Sequence, residues 1–231
     1  MKNIYSLFLF ISIFSVNVKL QAQEDKDNKN RKLQQVTDLK FGIRGGFNSS
    51  SATGVDIETI DSFLGFHIGG FAQKPIQNDQ LLLEIGALYS QKGFDKAILF
   101  GDDAAFTFQA DTVGTSAAGS FTANFIDIPI IIKDNQYERF SPFAGLEMNI
   151  LLNSEYNYSY TNADGEVIVG KETNLKDLKN FNMAAIVGLE YHFNHFFHVN
   201  FAYSYGLGSI DQGGDVKLKL NVIRICGGFS F

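Results

Sequence analysis

The sequence ends with residues 221–231, NVIRICGGFSF, a stretch in which apolar and polar or small residues alternate. Ile223 and Ile225 fall on one face, and Arg224 falls on the other. An alternation with a period of two residues is typical of a β-strand with two different faces. The stretch closes on the aromatic residue Phe231. An apolar face that meets lipid and a terminal aromatic residue are what the closing strand of an outer-membrane barrel requires.

Seven further segments alternate in the same way, and their lengths near ten residues match a tilted membrane crossing. The segments are residues 41–47, 63–73, 81–92, 121–133, 143–152, 181–193 and 198–208. The connections between them are alternately long and short, as expected for long outer loops and short inner turns. The sequence therefore predicts an all-β fold, a closed antiparallel up-and-down transmembrane β-barrel of about eight strands.

The alternation changes phase shortly before the last strand. Leu218 and Leu220 alternate in the opposite phase to Ile223 and Ile225. Because a one-residue insertion reverses the faces of a strand, this pattern predicts a β-bulge near Val222.

The amino-terminal region has the pattern of an export signal. Lys2 precedes an apolar run over residues 4–18, and small residues follow near Ala22. The run is shorter than the roughly 20 apolar residues of a spanning helix, so residues 1–22 are predicted to be a cleaved signal peptide, with an uncleaved anchor as the alternative. Residues 23–38, rich in charges of both signs, are predicted to be a disordered periplasmic leader. Residues 39–231 remain as the outer-membrane β-barrel domain.

Composition agrees with a barrel wall and excludes several classes of protein. The chain contains 23 Phe, 9 Tyr and 22 Gly but only 3 Pro, and scarce proline suits ladders that need every backbone donor. The single cysteine excludes an internal disulfide. A net charge of −6 without a basic cluster argues against nucleic-acid binding.

Several of these segments resemble a known family. The segments LLLEIGALYSQKGF (Leu81 to Phe94) and FIDIPIIIK (Phe125 to Lys133) are similar to hallmark segments of the Bacteroidetes outer-membrane β-barrel family, which includes PorT-like proteins. The carboxy-terminal strands, beginning at FAYSYGLGSID (Phe201 to Asp211), are similar as well. The resemblance covers about residues 41–231. It implies an eight-stranded barrel in the outer membrane, and it assigns no functional residues.

The predicted inward faces carry a set of ionisable side chains. The set is Arg44, His67, Glu84, Lys92, Asp127, Lys133, Glu147, Glu190, His192 and Arg224. An eight-stranded barrel has an interior just wide enough for side chains to fill, so cations on one wall can reach carboxylates on the other. We expect a structural polar network that fills and stiffens the lumen.

Two functional interpretations of the same set remain as alternatives. A carboxylate near His67 would serve as a general acid or base, and a chain of ionisable groups would conduct ions. A packed lumen leaves no room for a substrate, which favours structural filling. His67 and His192 have no ligand spacing that indicates a metal site, and Cys226 is expected to be a small interior residue. The sequence thus predicts no catalytic residue, no cofactor and no metal.

The third long connection contains YNYSYT, followed by a turn signal at residues 162–165. It is predicted to be a hairpin that continues the barrel wall beyond the membrane. Tyr156, Tyr158 and Tyr160 are candidates for contact with a glycan or a protein partner, because tyrosine offers a flat face and a hydroxyl. The alternative is that these tyrosines pair across the hairpin.

Four functions are compatible with the sequence. The preferred one is a non-enzymatic barrel with a structural or accessory role in the cell envelope, related to export or adhesion. The others are a surface receptor that binds through its long loops, a membrane-embedded enzyme, and a soluble lipocalin-like carrier. The expected location is the outer membrane with periplasmic termini. The expected partners are outer-membrane lipid, an unidentified envelope protein, and barrel-insertion machinery that recognises the strand ending in Phe231.

Overall fold

The computed structural model describes residues 39–53, 61–76, 80–99, 117–137, 139–161, 165–175, 178–210 and 218–231. The chain divides into two units, Met1–Leu39 and Lys40–Phe231, and the second unit contains all of the described strands. The predicted signal peptide and leader, residues 1–38, lie outside the described residues.

The second unit consists of β-strands. In chain order they are β1 Lys40–Thr53, β2 Asp61–Ile76, β3 Leu81–Leu99, β4 Ala117–Asp134, β5 Phe140–Thr161, β6 Val167–Thr173, β7 Phe181–His192, β8 Phe197–Gly206 and β9 Lys219–Ser230. Among the residues that the structure describes, there is no helix long and apolar enough to cross a membrane.

Eight of the strands form a closed ring. The order is β1, β2, β3, β4, β5, β7, β8 and β9, and β9 pairs with β1 to close the ladder. Every pairing is antiparallel. The predicted closed eight-stranded antiparallel barrel is confirmed, and such a ring leaves no free sheet edge among its own strands.

The ring has two distinguishable ends. At the short-turn end, β2 meets β3, β4 meets β5 and β7 meets β8, and the first and last strands also begin and end there. Phe41 and Phe231 exchange backbone hydrogen bonds of 3.2 and 2.8 Å at this end. The opposite end, called the long-loop end below, carries the other connections and the β5–β6 hairpin.

The assignment of faces agrees with the sequence pattern. Large apolar side chains such as Leu64 (70% exposed) and Phe201 (55%) lie on the outside of the ring, while Glu147 and Arg224 are buried in the lumen. In a lipid bilayer the exposed apolar surface contacts acyl chains, and the polar groups are shielded from them.

The β-bulge predicted near Val222 is wrong. The pairing of β1 with β9 runs without a shift from Gly42 opposite Ser230 to Thr53 opposite Lys219. Leu220 and Val222 are buried and lie on the same inward face as Arg224. The phase does not change in this strand. Instead, the inward face itself changes from polar to apolar toward the long-loop end.

A bulge does occur in β5, where the alternation does not predict one. Asn124 pairs with Asn153 and Phe125 pairs with Leu151, so Leu152 has no partner in β4. The extra residue reverses the inward parity of the second half of β5. Tyr156 consequently faces the interior.

Several strands extend further than predicted. The third strand continues to Leu99 and the fifth to Thr161. The predicted hairpin is present as β5 and β6, with Glu155 opposite Thr173 and Thr161 opposite Val167. Among the described strands, β6 pairs with β5 alone. The hydrogen-bonded pair of β5 and β6 therefore continues, at the long-loop end, beyond the part of the barrel wall whose outer face is apolar.

Candidate functional site

Four charged side chains meet in the half of the lumen nearer the long-loop end. Lys92 from β3, Asp127 from β4, Glu147 from β5 and Arg224 from β9 form what we call the loop-side quartet. Arg224 contacts both carboxylates, with its Nη2 2.8 Å from Asp127 Oδ2 and its Nη1 bonded to Glu147 Oε2. Lys92 Nζ lies 2.8 Å from Asp127 Oδ1 and 3.4 Å from Glu147 Oε1.

A neutral side chain completes the loop-side quartet. Asn149 donates its amide hydrogens to Asp127 Oδ1 at 2.9 Å and to Glu147 Oε1 at 2.8 Å. Each carboxylate therefore accepts bonds from Arg224, Lys92 and Asn149. Burial of charges costs free energy unless their hydrogen-bonding capacity is satisfied, and these two carboxylates meet that condition.

A second set of four charges lies nearer the short-turn end. Arg44 from β1, Glu84 from β3, Lys133 from β4 and Glu190 from β7 form the turn-side quartet. Arg44 Nη2 lies 2.5 Å from Glu84 Oε1, and its guanidinium carbon lies 4.1 Å from the centre of the Phe71 ring. Lys133 Nζ joins the two carboxylates, at 2.7 Å from Glu84 Oε2 and 2.7 Å from Glu190 Oε2.

Each quartet is electrically neutral, because it contains two cations and two carboxylates. All eight side chains are buried. Neutrality matters because an uncompensated charge in a medium of low polarity is far more costly than a paired one. The lumen thus encloses eight charges without enclosing a net charge.

The turn-side quartet has two histidine neighbours. His192 Nε2 lies 3.4 Å from Glu190 Oε1, and His198 Nε2 lies 3.7 Å from Glu190 Oε2. Asn200 also donates to Glu190 Oε2, at 3.3 Å. His192 Nε2 and Ser141 Oγ are 3.2 Å apart. These groups gather around Glu190 at the short-turn end.

Apolar side chains accompany both quartets. Ile131, Phe143, Ile186 and Ala202 form a small buried cluster. A cavity of about 20 Å³ is lined by all four, and also by Arg44 of the turn-side quartet and Arg224 of the loop-side quartet. The turn-side and loop-side quartets are therefore separated by this apolar layer and by a space that holds about one water molecule.

A larger apolar cluster lies beyond the loop-side quartet. It contains the aromatic rings of Phe94, Phe121, Phe125 and Tyr156, together with Ala52, Ala123, Leu178, Ile210, Leu218 and Leu220. We call it the interior plug. The rings of Phe94 and Phe121 stack with their centroids 5.1 Å apart. A cavity of about 10 Å³ separates the plug from Lys92 and Glu147.

The predicted lumen residues are distributed over these groups. Eight of the ten form the two quartets, and His192 joins Glu190. His67 is buried away from that histidine, and its Nδ1 is 2.7 Å from Asn48 Oδ1. Cys226 is buried as a free thiol.

Four further polar side chains complete the network, and the predicted ionisable set does not include them: Asn48, Asn149, His198 and Asn200. The alternation places Asn149 and Asn200 on inward faces, but it assigns no partner to them. His198 has the same parity as Asn200 and Ser204, so the alternation of β8 alone indicates its inward orientation.

Tyr156 and Tyr158 face the interior and do not form a contact surface for a partner. Tyr156 is fully buried in the interior plug, and Tyr158 packs against the same cluster. Their ring centroids are 6.1 Å apart. The bulge in β5 turns these two tyrosines inward, which the uninterrupted alternation of the sequence does not reveal. The side chain of Tyr160 lies outside the described residues.

The outward residues of β5 become polar from Asn153 onward, which places the next part of the strand outside the membrane-spanning segment. There, Lys171 of β6 lies 2.8 Å from Glu155 of β5. Hydrogen bonds from Lys171 and Asn157 lower the pKa of Glu155.

Several solved outer-membrane proteins are similar to this chain at low sequence identity. The crystal structure of Ail, the attachment invasion locus protein of Yersinia pestis, solved with the heparin analogue sucrose octasulfate, is similar with a TM-score of 0.44 and 12% identity. That match covers 84% of this chain and 99% of Ail. Neisserial surface protein A matches with a TM-score of 0.45 and 14% identity, over 83% of this chain and 97% of the other.

The outer membrane protein OprG from Pseudomonas aeruginosa matches with a TM-score of 0.35 and 15% identity, over 83% of this chain and 95% of OprG. A search of curated proteins found no match. The family model described as the outer membrane protein beta-barrel domain matches residues 21–212, most of the sequence. The chain therefore belongs to the outer membrane protein beta-barrel domain family and is an outer-membrane β-barrel protein.

Proposed function

We propose that this protein is a sealed, non-enzymatic barrel with a structural or accessory role in the cell envelope. The observation that carries the proposal is the filled lumen. Two neutral quartets, an apolar layer and the interior plug occupy it, and the cavities between them measure about 10 and 20 Å³. Such spaces hold about one water molecule each and admit no solute.

The burial of the carboxylates and their pairing with cations support a structural role over catalysis. Glu84, Asp127 and Glu147 are fully buried, and each is paired with cations. A general acid or base must come within hydrogen-bond reach of a substrate. Carboxylates that are enclosed and already bonded do not offer that access.

We also infer how the barrel is oriented in the outer membrane and which partners it contacts. Both ends of the barrel ladder lie at the short-turn end, which we place in the periplasm, with residues 1–22 removed as an export signal and residues 23–38 as a leader. Phe231 is 66% exposed there, where insertion machinery is able to reach it. Outer-membrane lipid covers the apolar wall, and nucleic acid is not a partner.

The accessory role rests on the resemblance of the sequence to Bacteroidetes PorT-like barrels. Such a barrel would support export or adhesion through an envelope protein rather than by passing a solute itself. Crosslinking in intact cells, followed by identification of captured envelope proteins, is the measurement that addresses this partner.

Conductance across a planar lipid bilayer tests the sealed lumen. The purified barrel, shown to be folded by its heat-modifiable gel shift, is expected to give no stable channel steps. The Phe121→Ala/Tyr156→Ala variant removes two rings of the plug and serves as the opened control, with more frequent leak events. Stable steps of uniform size from the wild-type protein would overturn the proposal.

One observation favours a second function, a surface receptor. The β6 strand of the long-loop hairpin exposes Val167 (70%) and Val169 (76%) on a segment that extends past the ring. Exposed apolar groups outside the membrane mark candidate contact surfaces. If this function is correct, a Val167→Ser/Val169→Ser variant will capture less of a surface ligand while its gel shift stays unchanged.

A further inference from the structure

Three potential metal ligands converge at the short-turn end of the lumen. Glu190 and His192 belong to β7, and His198 belongs to β8. One carboxylate oxygen and one ring nitrogen from each histidine all lie within 4.8 Å of one another. We propose that Glu190, His192 and His198 form a binding site for a divalent transition metal ion such as Zn²⁺.

The distances fit the coordination of such an ion. Zn²⁺ binds histidine nitrogen and carboxylate oxygen at about 2.0–2.2 Å in tetrahedral geometry, which separates neighbouring ligand atoms by about 3.3 Å. His192 Nε2 lies 3.4 Å from Glu190 Oε1 and His198 Nε2 lies 3.7 Å from Glu190 Oε2, and one ligand atom from each of the three residues lies within 4.8 Å of the other two. Small rotations of the two rings bring the ligands to coordination distance. Three protein ligands leave a fourth position for water.

A second, independent observation points to a ligand at His198. The side chain is 2% exposed, and its Nε2 has no hydrogen-bond partner in the described residues. A buried ring nitrogen without a partner is uncommon and is costly, and an ion or a water molecule is a usual explanation. Nε2 is also the atom that faces Glu190.

A divalent ion adds two positive charges to the neutral turn-side quartet, on the side where the His192 side chain is 28% exposed and water has access. Lys133 Nζ contacts both Glu190 and Glu84 at 2.7 Å. When the ion shares Glu190, Lys133 keeps Glu84 as a partner, and water at the short-turn end solvates the added charge. Ser141 Oγ, 3.2 Å from His192 Nε2, is placed to bond a water molecule in the fourth position.

The ligand types select among metals. Two imidazoles and one carboxylate suit Zn²⁺, Cu²⁺ or Ni²⁺, whereas Ca²⁺ and Mg²⁺ prefer oxygen ligands. A bound ion would link β7 to β8 next to the turn that joins them. The site is therefore expected to stabilise the barrel and to take up metal from the compartment that the short-turn end faces. This inference does not depend on the role proposed above.

The test uses the detergent-solubilised full barrel, stripped of metal with EDTA, and Zn²⁺ titrated by calorimetry, with Co²⁺ absorption as a second readout. We expect binding of one equivalent and a rise in melting temperature that EDTA reverses. His198→Gln and His192→Gln should each weaken Zn²⁺ binding by about tenfold or more. The matched control is His195→Gln, because His195 is exposed in the same turn and outside the ligand set.

The outcomes separate clearly. The proposal stands if the His192 and His198 variants lose affinity and the His195 variant binds like the wild type. It fails if the wild type binds no Zn²⁺, if the His192 variant keeps full affinity, or if all three variants lose it equally. His192 is partly exposed, so its variant is expected to fold and to remain informative should the His198 variant lose the gel shift.

Discussion

The two quartets contain the same charges but differ in how they are connected. In the loop-side quartet, Arg224 and Lys92 both contact both carboxylates, and Asn149 bridges the same pair. In the turn-side quartet, Arg44 contacts Glu84 alone, and Lys133 alone joins Glu84 to Glu190. The first is a closed network and the second is an open chain.

Because the two quartets are connected differently, we expect the two ends of the lumen to differ in rigidity and in ligand binding. A closed network leaves no carboxylate free to change partners, so it acts as a brace across β3, β4, β5 and β9. In the open chain, Glu190 accepts from Lys133 through both oxygens and from Asn200, and the ring nitrogens of two histidines lie 3.4 and 3.7 Å from it. Charge balance makes both arrangements tolerable in a buried lumen, and the two histidines beside Glu190 mark the turn-side quartet as the one able to accept a metal ion.

The largest effect is expected for Arg224→Leu. The change leaves Asp127 and Glu147 with Lys92 as their only cation, and removal of one partner from a buried pair costs about 3–5 kcal/mol. The measurement is the free energy of unfolding in urea, followed by circular dichroism and by the heat-modifiable gel shift. An unchanged gel shift and melting temperature would show that the network does not stabilise the lumen.

Arg224→Lys is the matched control for that change. It retains the charge but loses the planar fork that contacts two carboxylates at once. We expect a loss smaller than that of the leucine variant but still measurable. Equal losses in the two variants would indicate that geometry, and not charge, is what Arg224 supplies.

A smaller effect is expected for Arg44→Leu. Glu84 keeps Lys133 as a cation at 2.7 Å, so the variant loses one charged hydrogen bond and a cation–π contact. A hydrogen bond to a charged group contributes about 1.5–3 kcal/mol. The same unfolding measurement applies. A loss equal to or greater than that of Arg224→Leu would contradict the distinction between a closed network and an open chain.

The neutral amides extend the comparison. Asn149 makes two bonds to the loop-side carboxylates at 2.8 and 2.9 Å, whereas Asn200 makes one to Glu190 at 3.3 Å. Asn149→Ala is therefore expected to lower the free energy of unfolding by about 1.5 kcal/mol, and Asn200→Ala by less than about 1 kcal/mol. The reverse order would mean that the turn-side quartet depends more on its neutral donors than its connections indicate.

Much of the barrel follows from the sequence because alternation sets both the strands and their faces. Arg224 lies between Ile223 and Ile225, so its inward orientation follows once those two contact lipid. The alternation also identifies inward residues such as Asn200 without structural data. What alternation does not supply is the partner, because two side chains meet across the lumen only at a particular strand tilt and stagger.

The two wrong predictions about strand phase have a common cause. The bulge predicted near Val222 assumes that Leu218 and Leu220 contact lipid, but both are buried in an apolar interior at the long-loop end. Tyr156 is wrong as a candidate for partner contact because the bulge at Leu152, which turns it inward, is not visible in the pattern. Both regions lie where the wall extends past the membrane, and there apolar character no longer distinguishes outside from inside.

The smallest effect is expected for the exposed pair on the hairpin, which sets the lower limit of the comparison. Lys171 and Glu155 have side chains that are 56% and 39% exposed, and ion pairs in contact with water contribute little because solvent screens them. Lys171→Ala should lower the free energy of unfolding only slightly at neutral pH. The pKa of Glu155 is lowered in the folded protein, so its stabilisation is present above the pKa of the unfolded chain and is lost as the pH falls through the folded value. The wild-type and Lys171→Ala proteins should therefore differ least at acid pH, and any small difference near neutrality should disappear in high salt. A salt-resistant loss as large as that of Arg44→Leu would show that burial is not what makes the quartets stabilising.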